Sequence, residues 1–571
     1  MQPRLVISPQ SPDLAASLGR ETGLHPSLSQ VMVNRGHKTA GQIKAFLSPG
    51  LNGMANPFDL PDLEKAAERL ALAVVRGEKI GLFGDYDADG VTSTAVFINF
   101  FRRLGREVAW YLPNRLTEGY GLNRAGIKRL AREGVSLLVT ADCGTSDLEA
   151  LALARELGLE TILTDHHQLG LELPQVLAFV NPHRPEGPAQ FKNLAGVGVV
   201  FFLLAGLRAK LREHGYFRGR EEPNLKEHLD LVALGTLADV VPVVGQNRII
   251  LTVGLSLGCQ ASQVGLSSLA QVAGCGNGTF SAREVAFSLA PRVNAPGRMG
   301  QAELGVELLT AADTEQAQEL ARKMDRLNNQ RRKIGAEVLA QALDQIESRG
   351  DPVERMALVA AHPEWHPGVL GIVATRISQK YHRPCFILRI QGETAVGSGR
   401  SIEPFPLHRG LAELSEHLVR FGGHSQAAGL TIRTDRIEGF SLALEAEIGR
   451  VVSQPELIPS LNLDACLDLD DLNEKLVDDL ERMAPFGPGN QEPVFLAERV
   501  GLISAQQVGR GGVHLRLRLR QGQQTWSAIG FNLGHRLGDL SGSVRIAFKP
   551  FRNTFRGRSK VEVQVEAIEQ A

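Results

Sequence analysis

The chain has 571 residues, too many for one hydrophobic core, so three or more domains are expected. Its 62 Lys and Arg balance 63 Asp and Glu, a net charge of −1 that by itself points to no strongly charged partner and has to be divided by region. No apolar run is long enough to cross a bilayer, and residues 1–6 lack a signal-peptide core. The five scattered cysteines (Cys143, Cys259, Cys275, Cys385, Cys466) show neither metal spacing nor a disulfide framework; a reduced cytoplasmic protein is the expectation.

Residues 1–50 read as helical and are expected to pack on the domain that follows. Between 51 and 260 the pattern is α/β, a doubly wound parallel sheet. Short apolar runs at 80–83, 108–112, 137–140, 161–164 and 177–180 each end in Asp, Asn or His. Separated by helical stretches, they read as buried parallel strands. Open α/β sheets bind ligands beyond the carboxyl ends of their strands. A core has no use for acids and imidazoles at every strand tip; a polynuclear metal site does.

Asp85, Asp87 and Asp89 are spaced by two, so extended backbone past Phe83 would send all three carboxylates off one face. Gly84 and Gly90 allow tight turns on either side. A calcium loop would need a Glu further on, whereas residues 91–102 hold no acid and look like an apolar helix. Asp142 and the pair His166-His167 end two other strands, and adjacent residues on extended backbone point opposite ways, so one imidazole binds metal while the other faces the cleft. Oxygen donors with one imidazole suit Mn²⁺ or Mg²⁺. Asp239, at the end of an apolar helix stopped by Pro242, is a charge that needs a partner; Asp230, at the start of that helix, reads as a solvated acid.

Residues 261–350 form a connecting region, with a proline-free helix from about 310 to 349 that Asp313 caps and that spans roughly 50 Å. A connector lying against two domains is favoured over a coiled coil. Residues 351–452 read as a second α/β domain. Glycines around Ser398 and His424 would let backbone N–H groups approach a phosphate, with Arg115, Arg298 and Arg400 adding charge-assisted contacts. Residues 453–571 alternate as a β-barrel should. In 501–571, eleven Lys or Arg face four Asp or Glu, and Arg516, Arg518 and Arg520 share one outer strand face. That suits an oligonucleotide-binding barrel, with Phe551 and Phe555 among Arg552, Arg556 and Arg558 as conceivable stacking partners. Removing everything beyond about 452 is expected to spare the metals.

Asp165-His166-His167, preceded by the acidic motif and Asp142, resembles the DHH phosphoesterase superfamily, and residues 422–429, 397–401 and 365–369 resemble its associated domain. Residues 84–90, 114–121, 291–299 and 483–487 are similar to the RecJ branch, the single-strand-specific 5′→3′ exonucleases. Phe83, where small-molecule relatives carry His, and the basic barrel favour that branch. The resemblance implies two ions held by Asp85, Asp87, Asp89, Asp142 (bridging), His166 and Asp239, with Asp87, Asp89, Asp142, His166 and His167 catalytic. It also implies Ser398, Arg400 and Arg298 as phosphate contacts, Tyr120 as a stacking platform, 5′ mononucleotide products, and a role in DNA repair and recombination. The implied partners are single-stranded DNA with a 5′ end, a single-strand-binding protein and a helicase, with no membrane and a monomeric state. The alternatives are a small-molecule or oligoribonucleotide phosphodiesterase and a non-catalytic DNA-binding scaffold.

Overall fold

A computed structural model describes residues 2–258, 263–276, 278–555 and 558–571. Cys259, Arg556 and the boundary near 260 lie outside the described residues, as do the side chains of Phe555 and Arg558.

A short strand, β1 (Arg4–Ile7), precedes three helices, Pro12–Thr22, Pro26–Asn34 and Ala40–Leu47. Then come β2 (Ile80–Gly84), β3 (Ala109–Tyr111), β4 (Leu137–Ala141), β5 (Glu160–Thr164) and β6 (Ala178–Val180), each on one of the five apolar runs. They form a parallel sheet in the order β3-β2-β4-β5-β6. Chain direction across the sheet reverses between β2 and β4, so the ligand crevice opens at their tips. Alternation divides the side chains: Leu82, Val139 and Ile162 enter one core cluster, Phe83, Leu138 and Leu163 the other. Helices Ala88–Arg103, Gly196–Glu213 and Leu229–Ala238 pack together on the first of these faces.

The helix Thr314–Glu347 begins where Asp313 Oδ1 accepts from Gln316 N–H at 2.8 Å. Its early residues Ala317, Ala321 and Met324 join the core of the first domain, and Val338, Ala342 and Ile346 join that of the second. The second domain carries β7 (Leu358–His362), β8 (Cys385–Gln391), β9 (Thr394–Arg400), β10 (Leu418–Gly423) and β11 (Ala427–Arg433), ordered β10-β11-β9-β8-β7.

The C-terminal domain follows with β12 (Ser460–Leu463), β13 (Ala465–Cys466), β14 (Phe495–Val508), β15 (His514–Gln521), β16 (Gln524–Gly530), β17 (Ser543–Phe555) and β18 (Arg558–Gln570). Pairing of β14 with β17 closes β14-β15-β16-β18-β17 into a barrel. Closure removes the exposed edges an open sheet would present.

The first 50 residues do not pack where expected. β1 pairs in parallel with β12, and Leu28, Val31, Met32, Ile43 and Phe46 share one core with Leu515, Leu517 and Phe548. An amphipathic helix announces an apolar face, not the surface that covers it. The barrel is therefore no detachable module.

Candidate metal centre and phosphate cluster

β2 ends at Gly84, and the chain turns at once into the helix Ala88–Arg103. The acids converge by that turn rather than by extended backbone. Asp87 caps the helix, its Oδ1 accepting from the N–H groups of Asp89 at 2.9 Å and Gly90 at 3.1 Å. Asp89 lies in the first turn, where its carboxylate accepts from Gly196 N–H at 2.7 Å and Val197 N–H at 2.9 Å, the start of another helix. That is an anion held by a helix N-terminus. Gly90 must be glycine because a Cβ there would stand 2.4 Å from Asp85 O. Asp142, at the tip of β4, has φ +66, a strained conformation for a residue with a side chain.

His166 Nε2 faces Asp142 Oδ1 at 3.2 Å, Asp239 Oδ2 at 3.5 Å and Asp89 Oδ2 at 3.7 Å. Possible donor groups are Asp85 with Asp87 and Asp142, Asp89 with His166 and Asp239, and Asp142 with His166 and His167, each within 4.8 Å. The fit to metal rests on orphaned atoms. Asp85 Oδ1, Asp142 Oδ1 and His166 Nε2 are buried without a hydrogen-bond partner, which a folded protein tolerates only where something else satisfies them. Separations slightly above 3 Å match neighbouring donors around an octahedral ion with bonds of about 2.1 Å.

Burial and then Asp87 push the Asp89 carboxyl up to about 7, and burial with Asp89 and Asp87 pushes Asp239 up to about 9. Asp85 and Asp142 rise well above the carboxylate range, through burial first and neighbouring acids second. His166 falls to about 4, through burial and then the adjacent His167. These are the signs expected of acids gathered for a cation.

Asp165, which carried no role in the sequence reading, organises the pair. Its Oδ1 accepts from the N–H groups of His166 and His167 and lies 2.7 Å from His167 Nδ1, while Oδ2 accepts from Thr145 N–H at 2.9 Å. Burial opposes charge on His167, but this bond outweighs it and raises the imidazole to about 9. Tyr120 OH stands 3.0 Å from His167 Nε2. Asn294 was also missed as a site residue; its Oδ1 accepts from Ala88 N–H at 2.9 Å and holds the start of the acidic helix. The sequence offered a signal for both, since each sits inside a quoted motif.

Arg115, Arg298 and Arg400 come together. Burial, Arg115 and Arg331 push the Arg298 guanidinium down to about 10, with Asp87 acting against them, and Arg115 bears on Arg400 as well. Arg331, from the connector helix, is a member the sequence did not single out. Arg400 donates to Ser398 Oγ at 3.0 Å. Ser398 and Arg400 sit within β9, where the backbone pairs with β8 and β11 instead of cradling an anion. Gly397 and Gly399 are packing glycines: a Cβ would stand 2.1 Å from Leu388 Cδ2 and 2.3 Å from Phe386 Cε1. His424 lies exposed after β10, its N–H bonded to Ala427 O, and among the described residues nothing joins it to the arginines.

A cleft of about 1150 Å³ runs from Asn294 and Arg298 past Val240 and Phe287 to residues 484–488. The C-terminal domain thus forms one wall of it. Arg516, Arg518 and Arg520 stand exposed on β15 with Leu515, Leu517 and Leu519 inside. No acid pairs with them among the described residues, whereas Arg552 is neutralised by Glu474, Asp478 and Glu481 and is not free for phosphate. Asp230 is buried rather than solvated: Oδ1 accepts from Leu231 N–H, Oδ2 has no partner, and burial raises the carboxyl to about 7.

Family models match along the chain: the DHH family N-terminal domain at residues 79–236, the DHHA1 domain at 354–450 and the RecJ OB domain at 463–567. The single-stranded-DNA-specific exonuclease RecJ of Haemophilus influenzae is 35% identical over 97% of this chain and 97% of its own. The chain belongs to the RecJ family. The Escherichia coli RecJ is 34% identical over the full length of both chains. The crystal structure of Thermus thermophilus RecJ in complex with Mn²⁺ superposes with a TM-score of 0.84 at 31% identity, covering all of this chain and 80% of that one. No helix among the described residues is long and apolar enough to cross a membrane.

Proposed function

We infer that the protein is a metal-dependent exonuclease that hydrolyses single-stranded DNA from the 5′ end, in DNA repair and recombination. The observation that carries the reading is the set of orphaned atoms of Asp85, Asp142 and His166, with Asp142 grouped with each of the other two and a half-buried arginine cluster near Asp87. Two divalent ions, Mn²⁺ or Mg²⁺, would supply a nucleophile at neutral pH and positive charge at the scissile phosphate. Asp85, Asp87, Asp89, Asp142, His166 and Asp239 are the proposed ligands. Asp165 holds His167 towards the same space, where the imidazole can give a proton to the leaving oxygen.

Arg115, Arg298 and Arg400, with Ser398, are the proposed grip on the terminal phosphate, and Tyr120 offers a ring for the end base. The unbroken ligand set argues against a non-catalytic scaffold, and the closed barrel with its arginine strand argues against a small-molecule enzyme. The cleft past Phe287 has apolar walls for bases and Arg298 and Arg331 for phosphates, which supports passage of a single strand. A 5′ single-stranded tail on a labelled duplex should be digested to mononucleotides in Mn²⁺, with cutting that stalls near the junction. Equal loss from a 3′ tail, or rapid loss from blunt duplex or RNA, would sink the assignment. A monomer, and a single-strand-binding protein and a helicase as partners, belong to the same proposal; sedimentation and co-elution check them.

A further inference from the structure

Four residues beyond Asp239 the chain is held by the C-terminal domain. Val243 N–H donates to Pro488 O at 2.7 Å. A Cβ on Gly487 would stand 2.6 Å from Val243 Cγ2, and one on Gly489 would stand 3.2 Å from Pro242 Cβ, so the two segments lie flush. The stretch 483–491 is itself locked. Arg248, 3% exposed on the helix Gly245–Leu257, donates to the carbonyls of Phe46, Arg482, Met483 and Ala484 and stacks over the Phe46 ring at 3.8 Å. Arg35 donates to Asn490 Oδ1 and Gln491 O, and the buried Asn490 side chain donates to Met483 O at 2.9 Å and Pro485 O at 2.7 Å.

Asp239 depends on such a hold. Among the described residues no side chain or backbone N–H donates a hydrogen bond to its carboxylate, so the backbone aims it at His166. The next residue, Val240, is β-branched at φ +63, a conformation that persists only where the surroundings over-determine it. Asn247 fixes the near side of this stretch, donating to Pro242 O at 3.0 Å. The far side belongs to residues 487–489.

We propose that the loop 483–491, acting through Val243, positions Asp239 in the metal centre, so that docking of the C-terminal domain sets metal affinity as well as DNA binding. Gly487 and Arg248 are positioning residues in this arrangement, and the proposal rests on the metal-centre reading above.

Calorimetric titration of Mn²⁺ into metal-free full-length protein tests it, beside kcat and KM on a short single-stranded oligomer. Gly487→Ala presses a methyl against Val243; Mn²⁺ should bind about tenfold more weakly, the loss typical of an outer-layer support. Its kcat should fall by a similar factor with KM nearly unchanged. Adding Val243→Ala removes the methyl that the new Cβ meets and should recover most of both losses. Arg248→Lys keeps the charge but cannot reach four carbonyls, and should weaken Mn²⁺ binding in the same direction. If Gly487→Ala and Arg248→Lys bind Mn²⁺ and turn over as the wild type does, while melting lower or holding long strands less well, the joint merely glues domains and the proposal fails. A wild type that takes up no Mn²⁺ would instead defeat the metal-centre reading, and this proposal with it.

Discussion

In the metal pocket, the carboxylates of Asp85, Asp89 and Asp142 are buried together with atoms left unpartnered; on β15, Arg516, Arg518 and Arg520 stand in water, evenly spaced on a regular strand. The pocket gathers like charge at high cost and is fit for a cation that offsets it at close range. The strand spreads like charge at low cost and suits a polyanion at any register. Specific chemistry is the proposed role of the first arrangement, and a salt-sensitive, sequence-blind grip that of the second.

The contrast can be broken at either end. Asp142→Ala removes an orphaned carboxylate at a strained strand tip and should take nuclease activity below detection, while single-strand affinity stays within about tenfold because phosphate contacts elsewhere dominate it. Turnover across a Mn²⁺ titration, with anisotropy for binding, checks both halves. Asp165→Asn keeps the shape but weakens the bond that orients His167, and should lower kcat by about 10- to 100-fold. Changing Arg516, Arg518 and Arg520 to Gln should leave kcat on short oligomers alone. For a long oligomer it should flatten the slope of log K against log salt by about 2, at roughly 0.7 per lost phosphate contact; an unchanged slope in a protein that melts normally would take β15 out of the interface.

The smallest functional effect belongs to Asp230→Asn, a buried acid outside both regions. Its folded pKa of about 7 lies above the 3.8 of an ordinary aspartate side chain. The neutral form therefore suits the fold fully below 3.8, and the cost of ionisation grows as pH rises to 7 and then levels off. Asn should leave activity unmoved and stabilise the protein at pH 8 by up to about 4 kcal/mol, with little gain at pH 4. Thermal melts of both proteins across that range give the answer.

The two regions also differed in how they could be read. Leu515 to Arg520 alternate strictly, so the exposed stripe was visible from period alone. The strand tips were visible too, because an apolar run of four or five residues has few other uses before an Asp. Which acids and histidines converge at the candidate site was legible; how they converge was not. Two-residue spacing suggested a strand at Asp85 to Asp89, but a capping aspartate and a glycine that admits backbone contact make a helix start instead. Gly397 and Gly399 misled for a related reason: glycine marks close approach, and the sequence does not say whether a phosphate or a neighbouring phenylalanine ring approaches. Asp230 and the first 50 residues were misplaced because burial there is decided by partners far along the chain.

That last pairing has a consequence for synthesis. Leu28, Val31 and Met32 leave the ribosome long before Leu515, Leu517 and Phe548, which cover their apolar faces. At about 5–20 residues per second, the roughly 490 positions between Leu28 and Leu515 take some 25 to 100 s to make. Throughout that interval the opening helices carry a surface with no mate, while the metal-binding domain behind them can already close its own core. The newborn chain therefore has a closed core in the domain of residues 51–258 and uncovered opening helices at the same time, and it is on these helices that a holdase should be found in a stalled nascent chain.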